Sequence, residues 1–252
     1  MPKIESRSLA KIFNTQEGSF EAIRNLSFHV DAGEVISVVG KTGCGKSTTL
    51  NILLGLEKPT EGSLTIDGKE PYAAFDYFRG KLCAVFQTDR LLPWRKVLDN
   101  AAYGLEILRI PAKERYNRAR HWLERVGLEQ FENAYPHHLS GGMRQRVGIA
   151  RAFCVDPDVI FCDEAFGHLD EVTAIKLRAD FLNLIRETHK TSVFVTHDIN
   201  EAIELGRRVL VLGKPAHLLL EVEISQETNG DPSKRRELKE RILKTIEDNH
   251  PC

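Results

Sequence analysis

The chain has 252 residues, 42% of them hydrophobic and 28% charged, with a formal net charge of -1. That length buries a sizeable core in one large or two small domains, and the charge balance gives no overall field favouring nucleic acid or an anionic membrane. No apolar run reaches membrane-spanning length, "MPKIESRSLAK" lacks a secretory signal's apolar stretch, and the five scattered cysteines read as reduced thiols rather than disulfides or zinc ligands.

Residues 4 to about 39 predict short strands, "KIESRSLAKIF", "IRNLSFHV" and "VISVVG", with "DAGE" a turn between the last two. A helix opens at Lys46, and "GSLTIDGK" is a further strand between glycines. From about residue 88 to 155 the pattern turns helical. Pro111 suits a helix start, Tyr116, Ala119, Leu123 and Val126 share one face, and Gly127 suits the cap. Beyond Asp156-Pro157 the chain alternates: strand "VIFCDE", helix 171–188, strand "SVFVTH", helix "INEAIELG", strand "RVLVLG". Alternation of that kind predicts βαβ units and a parallel sheet. The reading is an α/β core interrupted by a helical insert, followed by a tail (231–252) with Leu238, Ile242 and Ile246 on one stripe and Asp231-Pro232 at its start.

"GKTGCGKST" (Gly40, Lys41, Thr42, Gly43, Cys44, Gly45, Lys46, Ser47, Thr48) fits the pattern of a phosphate loop. Its glycines let backbone amides face phosphate, Lys46 reaches the β- and γ-phosphates, and the Ser47 hydroxyl suits Mg²⁺. The strand before Gly40 and the helix from Lys46 supply the context this pattern needs. "VIFCDE" places two carboxylates at the end of an apolar strand, where charge is costly unless it holds a metal or does chemistry. Asp163 suits Mg²⁺ ligation, and Glu164, pointing the other way, suits polarising an attacking water. His197 ends the next strand, where an imidazole can touch a γ-phosphate. "LSGGMRQR" (139–146) is a second helix start suited to an anion, far in sequence from the phosphate loop.

The phosphate loop, "LSGGMRQR", "FCDE" and "VTHD", in that order, resemble the ATP-binding subunits of ABC transporters over roughly residues 1–225. "VFQTDRLLPW" and "YPHHLSGGMRQRVGIARA" narrow the resemblance to importer ATPases for nitrate, taurine and aliphatic sulfonates. The resemblance implies a P-loop ATPase core with an antiparallel β subdomain and an inserted α-helical subdomain, over residues 1–230. It also implies why two anion-binding helix starts exist. Ser140, Gly141 and Gly142 of one copy would close on the γ-phosphate held by another, in a head-to-tail dimer. Further roles implied are Gln87 contacting Mg²⁺ and the water, Asp170 at the dimer interface, His197 as the switch histidine and Phe13 stacking on adenine, with Phe20 close by. Implied partners are two transmembrane permease subunits and, indirectly, an extracytoplasmic solute-binding protein, with the chain on the cytoplasmic face of the membrane and no nucleic acid.

Two positions depart from the family: Ala165 stands where proline is usual, which should loosen the turn slightly, and His168 where alanine is usual. His168 would put an ionisable ring near the dimer interface and weaken closure at acidic pH. Cys44, near a helix start, is expected to have a lowered pKa and to react with thiol reagents unless ATP protects it. "LLPW" (91–94) suits either a groove for a membrane subunit or the insert's own core. The alternative functions are a soluble ABC ATPase acting on DNA or ribosomes, disfavoured by the short insert and the single ATPase domain, and a phosphate-loop kinase, which has no use for "LSGGMRQR".

Overall fold

The computed structural model describes residues 2–16, 18–167, 169–225, 228 and 230–249. In chain order the elements are β1 (Ile4–Thr15), β2 (Gly18–Val30), β3 (Val35–Gly40), α1 (Lys46–Leu53), β4 (Glu61–Ile66), α2 (Phe75–Phe78), β5 (Leu82–Phe86), α3 (Val97–Ile107), α4 (Ala112–Arg125), α5 (Gly141–Cys154), β6 (Val159–Asp163), α6 (Glu171–Thr188), β7 (Thr191–Thr196), α7 (Ile199–Leu205), β8 (Arg208–Leu212), β9 (Leu218–Glu223) and α8 (Pro232–Asp248). Short 3₁₀ turns at Glu129–Phe131 and Pro136–His138 join α4 to α5. The chain packs as two compact units, residues 1–77 with 191–252, and residues 78–190. No helix among the described residues is long and apolar enough to cross a membrane.

The first unit carries an antiparallel sheet in the order β2-β1-β4. It also carries a parallel set in which β3 pairs with both β7 and β8, extended by antiparallel β9. β3, β7 and β8 are almost wholly buried, because strands covered on both faces read as continuous apolar runs rather than alternating ones. Both flanking helices are capped as their sequences demand. Asp198 accepts from the amides of Asn200 (2.7 Å) and Glu201 (3.3 Å) at the start of α7, and Asp231 accepts from the Ser233 amide at 2.9 Å ahead of Pro232 in α8. Leu238, Ile242 and Ile246 of α8 join Ile199, Ala202, Ile203, Val209 and Val211 in one buried cluster. The tail helix is thus part of this unit's core.

The second unit pairs β5 with β6 in parallel, from Leu82 opposite Val159 to Phe86 opposite Asp163. α3, α4 and α5 pack against one another. The α4 stripe falls as its period requires: Ala119, Leu123 and Val126 are buried, the Tyr116 hydroxyl donates to Asp99 at 3.0 Å, and Gly127 ends the helix at φ 71°. Trp122, Phe153, Phe181 and Phe166 form a continuous aromatic run with ring centroids 4.8 to 5.9 Å apart. Of "LLPW", Leu91 is buried and Trp94 is 71% exposed, so the motif divides between the insert's core and its surface.

Candidate functional site

In the first unit the phosphate loop follows β3 and opens α1. Two glycines shape it. Gly45 sits at φ 113°, and a Cβ there would stand 2.3 Å from the Ala22 carbonyl and 2.8 Å from the Ala216 side chain; Gly43 sits at φ 74°. Both conformations favour glycine, and at Gly45 the close approach excludes any side chain as well. Lys46 is buried, and its ammonium donates to the carbonyls of Gly40 (2.6 Å) and Lys41 (3.0 Å). The loop wraps its own lysine, and an ammonium has a third N–H for another acceptor. The Ser47 hydroxyl is exposed at the first turn of α1. Lys41, Thr42 and Gly43 are exposed on the outer arc of the loop, with Thr48 half-buried behind them.

His197 belongs to the same unit. Val39 of β3 lies opposite Thr196 of β7 in the parallel register, so Gly40 and His197 leave the sheet side by side, at the carboxyl ends of adjacent strands where open α/β sheets bind ligands. Three hydrogen bonds fix the backbone there. The Asp198 amide donates to the Thr196 hydroxyl at 3.0 Å, that hydroxyl donates to the buried Glu201 carboxylate, and Asp198 caps α7. The His197 side chain is exposed. Phe13 is half-buried with the Lys11 ammonium 4.8 Å from its ring, and it pairs across β1–β2 with the exposed Phe20. Neither phenylalanine is in the core.

The second unit holds Gln87, Ser140, Gly141, Gly142, Asp163, Glu164 and Asp170. The buried run Val159–Cys162 delivers Asp163 to the end of β6. Glu164 follows in the left-handed region at φ 49°, a conformation that disfavours residues other than glycine by about 1–2 kcal/mol. The Gly167 amide closes the turn onto the Glu164 carbonyl at 3.0 Å. Gln87 comes straight after β5, and a Cβ placed on Gly167 would lie 3.5 Å from its side-chain nitrogen, so the glutamine stands over the turn that begins at Glu164. Ala165 is buried, and its carbonyl accepts from Gln145 at 2.7 Å. Ser140 caps α5 by accepting from the Met143 amide at 3.3 Å, leaving Ser140 and Gly141 exposed at that helix start. Asp170 caps α6, accepting from the Thr173 amide at 3.0 Å. Bonds from Thr173, the side chain's first and the amide's next, hold the Asp170 carboxyl below its ordinary range. His168 lies outside the described residues.

The expectation for Cys44 is overturned. Cys44 is 1% exposed, and burial pushes its thiol up from the ordinary value, against the opposing pull of Lys46, the local backbone and Lys214. The sequence shows the helix start but not the packing of the sulfur under the loop, where the Gly40 Cα lies so near that an added Cβ would stand 2.9 Å from Sγ. Desolvation of the thiolate is the larger effect. Iodoacetamide is therefore expected to label Cys44 far more slowly in the folded protein than in urea, with ATP making little difference. Peptide mass spectrometry over a time course checks this, and rapid labelling of the native protein contradicts it.

Mg²⁺ takes one or two carboxylates with waters and phosphate oxygens rather than a protein cage. The described residues hold no group of three or more His, Cys, Asp or Glu that could form a cage. Ser47 in the first unit, and Asp163 and Gln87 in the second, each carry a hard oxygen of the kind such an ion takes.

Residues 23–167 match the family model described as ABC transporter. The chain is 36% identical to an aliphatic sulfonates import ATP-binding protein of Bacillus thuringiensis, over 97% of this chain and 96% of that one. It is 41% identical to a taurine import ATP-binding protein of Rhizobium johnstonii, over 76% of this chain and 71% of that one. It is similar in structure to an ATP-binding cassette solved as a dimer in a post-hydrolysis state with ADP and phosphate, with a TM-score of 0.78 and 34% identity over 88% of this chain and 99% of that one. The match to the family model over more than half of the chain, with relatives at 36–41% identity and a cassette of the same fold, shows the family: the chain belongs to the ABC transporter family, as one of its ATP-binding ATPase cassettes.

Proposed function

We propose that this chain is the ATP-hydrolysing subunit of an importer for a small anionic or polar solute of the sulfonate, taurine or nitrate kind. The observation that carries the reading is its 36% sequence identity, along nearly its whole length, to a protein named for aliphatic sulfonates import. In this reading the loop amides and Lys46 hold the β- and γ-phosphates, and Ser47, Gln87 and Asp163 are the residues that would hold Mg²⁺. Bound there, Mg²⁺ would supply positive charge to offset the charge that develops on the transferred phosphoryl group. Glu164 takes a proton from the attacking water, which Gln87 orients, and His197 donates to the γ-phosphate. Phe13 stacks on adenine. Ser140, Gly141 and Gly142 of a second copy present the α5 amides to the same γ-phosphate, and Asp170 lies at that interface, so ATP joins two copies.

Two transmembrane permease subunits then dock on the pair at the cytoplasmic face of the membrane, and an extracytoplasmic binding protein delivers the solute to them. The exposed Trp94 is the first contact to test. Trp94→Ala is expected to change stability by less than about 0.5 kcal/mol, as surface substitutions do, and to leave the ATPase of the free protein unchanged. It should weaken retention of the membrane subunit, read by pull-down from mild detergent. Equal retention removes Trp94 from the interface. The reading as a whole is tested by purifying the tagged chain from native membranes and identifying its companions by mass spectrometry. A multi-span protein supports it, whereas soluble companions with ribosomes or DNA overturn it.

A further inference from the structure

Gln145 is the third residue after Gly142 in α5, and it is 3% exposed. Its amide nitrogen donates to two main-chain carbonyls, Phe86 at 3.0 Å and Ala165 at 2.7 Å. Phe86 immediately precedes Gln87, and Ala165 immediately follows Glu164. Both partners are acceptors, so the orientation of the amide is fixed by chemistry. A single buried side chain therefore bridges the two segments that hold the water-handling pair.

Neighbours on α5 reinforce one side of this bridge. Arg144 donates to the Asp89 carboxylate at 2.9 Å. Arg151 donates to the carbonyls of Asp89 (2.7 Å) and Arg90 (2.8 Å). The loop from Phe86 to Arg90 is thus tied to α5 by several bonds. Gln145 also ties the turn after Glu164 to α5, through the Ala165 carbonyl. That turn begins with a residue held in the left-handed region, which persists only where surroundings over-determine it.

We infer that Gln145 is a positioning residue for hydrolysis: it sets the spacing between Gln87 and Glu164 and links both to the helix that opens at Ser140. The inference rests on the roles given to Gln87 and Glu164 above. It makes α5 more than an anion-binding helix start. Any displacement of its first turn is carried one turn along to Gln145, and from there to the residues on either side of the attacking water.

Two variants test it. Gln145→Met keeps the length and burial but donates to neither carbonyl. Gln145→Glu keeps the shape and donates only when its carboxyl is protonated. ATP affinity is measured by equilibrium titration, and kcat is normalised to the sites that bind ATP, so unfolded protein does not count. The expected result is ATP affinity within about twofold of wild type and kcat lower by about tenfold or more in both. Activity of Gln145→Glu relative to wild type should rise as pH falls and one donor returns. A merely structural glutamine predicts otherwise: lower melting temperature, normal kcat per binding site and no pH-dependent recovery. That outcome overturns the inference, as does an equal fall in affinity and kcat. A wild-type protein without turnover overturns the underlying ATPase roles and this inference with them, whereas wild-type turnover abolished by Glu164→Gln, beside unaffected Gln145 variants, overturns this inference alone.

Discussion

Glu164→Gln is expected to lower the rate of ATP hydrolysis by about 10² to 10⁴, the contribution of a positioned general base, and to leave ATP affinity within about twofold of wild type. The substitution is isosteric, so the turn closed by the Gly167 amide and tied down by Gln145 can persist. An amide cannot accept the proton of the attacking water at neutral pH. Binding, in contrast, depends on the phosphate loop, whose buried lysine is held by the carbonyls of Gly40 and Lys41 in its own unit. Phosphate release and nucleotide titration on the same preparation read the two quantities separately. Parallel loss of both contradicts the assignment of Glu164 to chemistry.

Lys46→Ala has the opposite signature. It should raise the dissociation constant for ATP by about 10- to 100-fold, the range expected when one or two charge-assisted hydrogen bonds worth about 1.5–3 kcal/mol in all are lost. Part of the effect comes from the loop itself. With the ammonium gone, the Gly40 and Lys41 carbonyls lose the donor that holds them inward, so the loop that presents its amides to phosphate is less well ordered before ligand arrives. Isothermal titration with a non-hydrolysable analogue measures this free of turnover. Unchanged affinity contradicts the role given to the loop.

Sequence reading succeeded where a local pattern carries its own mechanism. Gly43 and Gly45 both occupy positive φ, and Gly45 also turns tightly against Ala22 and Ala216; the glycine spacing announces a loop of this kind. The α8 stripe of Leu238, Ile242 and Ile246 is equally legible from its period and proves buried. The failures share one cause: tertiary burial is not written in local spacing. Cys44 reads as an activated thiol because the helix start is visible in sequence, while the packing that raises its pKa is not. Gln145 carries no signal in "LSGGMRQR" that sets it apart from its polar neighbours. Only the fold, by pairing β5 with β6 and laying α5 across their ends, shows it between Phe86 and Ala165. The position of Glu164 at φ 49° is likewise invisible in "VIFCDE".

The central claim is that the helix start at Ser140 serves the phosphate loop of a different copy. Gly141 permits a clean test. A Cβ there would meet nothing closer than Leu169 at 3.7 Å, so Gly141→Asp places a carboxylate at the anion site without a clash, whereas a Cβ on Gly142 would press on Thr173 at 2.7 Å. Lys46→Ala and Gly141→Asp chains, each also carrying Glu164→Gln to prevent turnover, are labelled with different fluorophores and mixed with ATP, and energy transfer between the labels is measured. Neither variant is expected to associate with itself on addition of ATP, whereas the two are expected to associate with each other, because one of the two sites in a mixed pair combines an intact loop with an intact helix start. Absence of transfer in the mixture, under conditions where chains carrying Glu164→Gln alone associate with ATP, would mean that loop and helix start act within one chain and would contradict the account.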